Sequence, residues 1–169
     1  NDTIYTGGYP GPLREVCGLW LDERDALPPD ESRALSIGGE SGFSCGLLCD
    51  LICPEGAEVK AQYESGFYAG TAAVTVNRYG QGQAWYFGTK PDSVAFDRLM
   101  DEVVQGSGAR PLIDEPTPLE ISCREKDGKR LWFVLNFTTE PQPVPQALTG
   151  LPDLLSGKIT GENTQLPPY

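Results

Sequence analysis

Residues 67–106 read FYAGTAAVTVNRYGQGQAWYFGTKPDSVAFDRLMDEVVQG. Ala72–Val76 and Ala84–Phe87 are rich in β-branched and aromatic residues, and Tyr79-Gly80-Gln81-Gly82 between them supplies glycine where a tight connection needs positive φ. That pattern predicts a β-hairpin. A helix comes immediately after it: Pro91 suits its first turn, Asp92 can cap it, and Gly106 and Gly108 can end it. Phe96, Leu99, Met100, Val103 and Val104 fall on one face at a spacing of about 3.6 residues. A hairpin whose second strand feeds an amphipathic helix is part of a sheet-plus-helix layer, so the fold class expected here is α/β.

Upstream, the segments read as partners for that layer to pack against. Ile4 and Tyr5 stand ahead of Gly7-Gly8 with no preceding element, as in the middle of a fold. Pro10 and Pro12 lead into Leu13–Cys17, a loop running into a single helical turn stopped by Gly18. Leu19–Leu27 alternates and predicts a half-exposed strand closed by Pro28-Pro29-Asp30. Arg33–Ile37 and Val59–Tyr63 predict two more strands, with a turn at Pro54-Glu55-Gly56. Gly38-Gly39-Glu40-Ser41-Gly42 lacks the Lys-Ser/Thr of a phosphate-binding loop and reads as a solvated turn.

The stretch Cys45–Cys53, CGLLCDLIC, spaces cysteines at i, i+4 and i+8, which share one face of a strand or one stripe of a helix. Structural zinc sites usually close with four ligands. With only Cys17 and Cys123 as distant further candidates, these read as small buried residues and no metal site is expected.

Downstream, Ser107–Pro118 holds Gly108, Pro111, Pro116 and Pro118 without period and reads as a domain boundary. Leu119–Arg124 and Leu131–Phe137 alternate around Asp127-Gly128, the strongest short hairpin signal in the chain. Pro141, Pro143 and Pro145 restrict their own stretch to an edge or extended segment. Leu154–Lys158 predicts one more short strand, and a small, truncated β-sandwich is expected.

The totals exclude several classes of function. Twenty-four acids against 13 bases give a net charge of −11, which argues against nucleic acid and against an anionic membrane surface as partners. No apolar run approaches the roughly 20 residues of a membrane span, and Asn1-Asp2-Thr3 carries no signal-peptide pattern, so a cytoplasmic setting is expected. The chain has no histidine, which removes Ser-His-Asp and Cys-His chemistry. Five cysteines, an odd number, do not make a disulfide framework and read as reduced thiols. Glu15, Asp22, Glu23, Asp25, Asp101 and Glu102 sit among other charges on faces that should be wet, with no apolar pocket to raise a pKa. Trp85 and Trp132 lie within strands and read as core, leaving Trp20 the freer ring for stacking on a sugar. Asn136-Phe137-Thr138 fits a glycosylation acceptor, which has no use in a cytoplasmic chain.

The phrases GGYPGPLREVCGLWLDERDAL, CDLICPEGAEVKAQYESGFYAGTAAVTVNRYGQGQAWYFGT, SCREKDGKRLWFVLNFT and LLSGKITGENTQLPPY span nearly the whole chain. In this order they resemble the non-catalytic C-terminal half of glycoside hydrolase family 42 β-galactosidases. In that family an N-terminal TIM barrel carries the chemistry, a middle domain like class I glutamine amidotransferases mediates trimer formation, and a small β domain comes last. The resemblance implies that residues 1–107 are the later part of the trimerisation domain, 108–116 a linker, and 117–169 the C-terminal β domain. No phrase matches the barrel's motifs, so no catalytic, cofactor-binding or metal-ligating residue is assigned. The expectation is a non-catalytic fragment that self-associates, a homotrimer in the parent, with the galactoside bound only by the parent enzyme. A stand-alone carbohydrate-binding or regulatory module is the rival reading. An amidotransferase activity fails because its Cys needs a His beside it.

Overall fold

The computed structural model describes residues 8–168. The expectations placed on Ile4, Tyr5, Gly7 and Tyr169 lie outside them. The chain divides into two compact units, Asn1–Gly108 and Ala109–Tyr169.

In the first unit a 3-10 turn at Gly11–Leu13 runs into the single-turn helix α1 (Arg14–Cys17), stopped by Gly18 in the left-handed conformation. Seven strands come next: β1 (Leu19–Ala26), β2 (Ser32–Ile37), β3 (Glu40–Pro54), β4 (Glu58–Tyr63), β5 (Ala72–Tyr79), β6 (Gly82–Phe87) and β7 (Thr89–Pro91). Helix α2 (Ser93–Ser107) ends the unit. The strands form one sheet in the order β1-β3-β2-β4-β5-β6, with β7 paired to β3 off this path and every pairing antiparallel.

The long strand β3 determines the shape of this sheet. Its first half pairs with β2, from Glu40 to Gly46, and its second half pairs with β1 and, at Ile52, with Ala72 of β5. The path β3-β2-β4-β5 therefore closes on itself, which a straight strand cannot do. The bend is made at Leu47, which adopts φ 68° where the register with β7 slips between Gly46 and Cys49. Inside lie Leu35, Ile37, Cys49, Tyr63 and Val74, with Leu99 of α2 packed on the same cluster.

The α/β expectation is thus only partly met, because the unit is β-rich. Antiparallel partners are joined by short turns, whereas a parallel sheet needs a crossover of a dozen or more residues. Among the described residues α2 is the one helix longer than a single turn. Its start also differs in detail. Pro91 closes β7, and Asp92 caps the helix by accepting from the Ala95 amide at 2.8 Å and the Ser44 amide at 2.6 Å. Gly106 lies inside the last turn, and Gly108 at φ 68° ends it. The face that meets the sheet is Ala95 and Leu99, both fully buried, while Phe96 and Val104 are 46% and 44% exposed. The small Ala95 lets the helix approach closely, and that rotates part of the expected stripe outward.

The second unit contains β8 (Glu120–Lys126) and β9 (Lys129–Leu135), a hairpin turned at Asp127 and Gly128 with φ of 53° and 72°. Both central residues are left-handed, as a two-residue hairpin turn with the twist of its strands requires. A second two-stranded sheet pairs β10 (Gln142–Pro143) with β11 (Gln165–Leu166). The sandwich expectation reduces to these two small sheets. Leu154–Lys158 is a turn, because the Asp153 carboxylate accepts from the Leu155 and Ser156 amides and offers the chain a local alternative to a ladder. Leu155 accordingly stands 99% exposed.

Candidate functional site

The most organised polar groups in the first unit converge on Asp50 of β3. A lone carboxylate in an apolar run must find a partner when the run is buried, and Asp50 is 3% exposed. Across the β1–β3 pair, where the register shifts between Leu21 and Arg24, the guanidinium of Arg24 donates from Nε to Asp50 Oδ1 at 2.6 Å and from Nη2 to Oδ2 at 3.3 Å. The Tyr86 hydroxyl of β6 donates to Oδ2 at 2.5 Å. Burial, then the adjacent carboxylate, pushes the Tyr86 hydroxyl well above the usual phenol range, so it stays a donor. Tyr9 completes the group, with Arg24 over its ring at 5.2 Å and Tyr86 at 6.4 Å between centroids. The β1 bulge is what aims Arg24 at β3.

A second network joins β1, β2 and the loop before β5. The Tyr68 hydroxyl donates to Asp25 Oδ2 at 2.8 Å and accepts from Arg33 Nε at 3.1 Å, and Arg33 also pairs with Glu31 at 3.2 Å. Deeper still, the fully buried Tyr63 donates to the carbonyls of Asp50 and Gly88 at 3.3 and 3.2 Å. The Tyr63 hydroxyl satisfies buried carbonyls, and the Tyr68 hydroxyl links Asp25 of β1 to Arg33 of β2.

An open depression of about 490 Å³ lies beside α1, lined by Arg14, Glu15, Glu55 and Asn77. Arg14 grips Glu55 through two bonds of 2.6 and 2.5 Å, and Asn77 Nδ2 donates to the carbonyls of Glu15 and Val16 at the end of α1. The guanidinium holds the Glu55 carboxyl below its ordinary range, the reverse of what a proton donor at neutral pH requires.

The other residues weighed from sequence are dispersed. Asp22 and Glu23 are exposed on β1, Asp101 and Glu102 are exposed on α2, and Glu102 pairs with Lys60 at 3.2 Å. Cys45 and Cys49 are buried in the main core, whereas Cys53 is half-exposed. Cys53, the last residue but one of β3, lies beside the exposed Pro54 at the strand's end. Burial pushes the Cys45 thiol up to about 11, with Thr89 and Cys49 beside it, so it is a poor nucleophile and a poor metal ligand. Among the described residues no group of three or more Cys, Asp or Glu is placed to hold a metal ion. Cationic side chains cover two of the indoles, Arg14 over Trp20 at 5.9 Å and Lys60 over Trp85 at 5.7 Å. Trp132 is half-buried opposite Cys123. Asn136 is 5% exposed and its amide donates to the carbonyls of Glu140 and Leu166, so it holds the second unit together and is not offered to solvent.

Sequence reasoning missed the Asp50 cluster. The signal was present as one acid inside CGLLCDLIC, but its partners Arg24 and Tyr86 lie 26 and 36 residues away and come together only through the strand pairing.

Comparison with known proteins assigns this β-rich chain to a class. Residues 1–108 match the β-galactosidase trimerisation domain, and residues 119–169 match the β-galactosidase C-terminal domain. The chain belongs to the glycoside hydrolase family 42 β-galactosidases and corresponds to those two consecutive domains. It is 42% identical to the β-galactosidase LacA of Lactobacillus acidophilus over 159 residues, covering 94% of this chain and 24% of that protein. It is 43% identical to BgaA of Planococcus sp. over 145 residues, covering 83% of this chain and 21% of that protein. The crystal structure of a β-galactosidase from Bacillus circulans sp. alkalophilus superposes with a TM-score of 0.77 at 34% identity, over 99% of this chain and 26% of that one. The chain thus spans about a quarter of the length of the curated relatives it matches. No helix among the described residues is long and apolar enough to cross a membrane.

Proposed function

We propose that this chain is the non-catalytic, assembly-forming part of a β-galactosidase that hydrolyses terminal β-galactosides. The observation that carries the reading is the consecutive match of the trimerisation and C-terminal domains, in that order and over nearly all residues. In this reading residues 1–107 are the later part of the trimerisation domain, 108–116 a linker and 117–169 the C-terminal β domain. The parent works as a homotrimer in the cytoplasm, without cofactor or metal, and binds neither nucleic acid nor membrane.

The chemistry of this chain's own carboxylates supports a non-catalytic role. A retaining glycosidase needs two carboxyl groups about 5 Å apart across the sugar, one of them protonated by an environment that raises its pKa. Glu55 is shifted the other way by Arg14, and Asp50 is already engaged by Arg24 and Tyr86. The purified chain, freed of host enzyme, is expected to release no chromophore from a nitrophenyl β-galactoside above the buffer rate. Turnover that disappears on substitution of one particular Glu would overturn the reading.

A further inference from the structure

One face of the β8–β9 hairpin combines exposed apolar side chains with basic ones. The register pairs Glu120 with Leu135, Ser122 with Phe133, Arg124 with Leu131 and Lys126 with Lys129, and side chains two apart on a strand share a face, so this face carries three bases and one acid. Leu131, Phe133 and Leu135 therefore form an apolar stripe, and they are 42%, 45% and 43% exposed in the 169-residue chain. The opposite face, with Ile121, Trp132 and Val134, is half-buried. At the turn end of the open stripe stand Arg124, Lys126 and Lys129. Among the described residues neither lysine forms an ion pair, whereas Arg130 on the other face is paired with Glu125 at 2.9 Å.

This cationic, apolar face belongs to a chain of net charge −11. Most of that charge lies in the first unit, where residues 1–108 hold 16 acids and 7 bases, a net of −9. A two-stranded ribbon is marginal alone and gains from cover on both faces, and an exposed apolar stripe rimmed by charge marks an interaction surface. We propose that this face docks onto the acidic surface of the first unit of a second copy of the chain. The inference rests on the self-associating function above and adds the C-terminal unit to the contact. Charge complementarity selects the partner and steers the encounter, while Leu131, Phe133 and Leu135 are desolvated on docking.

The test mixes the chain carrying ¹⁴N with the chain carrying ¹⁵N, couples amines to carboxylates with a carbodiimide, and reads the cross-linked peptides by mass spectrometry. Mixed-isotope links from Lys126 or Lys129 to acids within residues 1–108 are expected. Lys126→Glu with Lys129→Glu, substitutions at the solvent-facing turn, should weaken self-association on the order of tenfold with an unchanged circular dichroism spectrum. Phe133→Ser serves as the second variant, with the same loss of association expected at high salt as well. An assembly of undiminished mass that gives no such links, links within one isotope only, or no response to the variants, overturns the hairpin contact and leaves self-association standing. A chain that stays monomeric overturns both. Binding to vesicles of phosphatidylserine in preference to a second copy also overturns it.

Discussion

Replacing Arg24 by alanine is expected to destabilise the first unit by about 3 kcal/mol at neutral pH. The carboxylate it leaves behind is 4% exposed at the side chain, while the guanidinium itself is 48% exposed. The two halves of this ion pair are therefore unequal. Removing the acid leaves an arginine that water can solvate, whereas removing the arginine leaves a negative charge out of water with one hydroxyl donor, Tyr86 at 2.5 Å. That remaining hydrogen bond places the expected cost at the low end of the range for breaking a buried pair. Asp50→Asn should cost less than Arg24→Ala, and the double variant Arg24→Met with Asp50→Leu should recover much of the loss. Urea unfolding of Arg24→Met, Asp50→Leu and their double variant closes a cycle that measures the coupling directly. Equal effects of Arg24→Ala and Asp50→Ala would show that water reaches Asp50 and that the cluster is a surface pair.

Leu99→Ala is the second large effect, expected at about 3–4 kcal/mol. Leu99 is fully buried between α2 and the sheet, and truncation there loses transfer energy and leaves a cavity that a closed sheet cannot readily fill. Phe96→Ser on the same helix should cost under about 1 kcal/mol, since that ring is 46% exposed and its aromatic neighbour is Phe87, at 6.1 Å between centroids. The contrast matters because sequence periodicity places both residues on one apolar face. A Phe96→Ser effect as large as that of Leu99→Ala would mean that the whole stripe is covered.

Local features were legible in the sequence wherever one chemical signal sufficed. The β5–β6 hairpin is set by β-branched runs around Gly80, and the β8–β9 turn by Asp127-Gly128, because turn geometry is determined by the two residues at its corner. The cap at Asp92 was legible for the same reason. The closure of the sheet was not, because it depends on Leu47, a residue type that gives no turn signal, adopting a left-handed conformation that costs roughly 1–2 kcal/mol. The surrounding ladder stabilises what the residue alone would avoid. Nor does a sequence show that Asp50, Arg24 and Tyr86 meet, since strand register determines that contact. At Leu154–Lys158 the apolar pair suggested a strand, and the capping side chain of Asp153 one residue before it prevailed.

Self-association underlies both functional proposals for this chain, and its molar mass in solution is the direct readout. Light scattering coupled to size exclusion at about 0.15 M salt, where charges more than roughly 8 Å apart are largely screened, should return three times the 18.3 kDa chain mass at high micromolar loading. A single 18.3 kDa species at every concentration would contradict it.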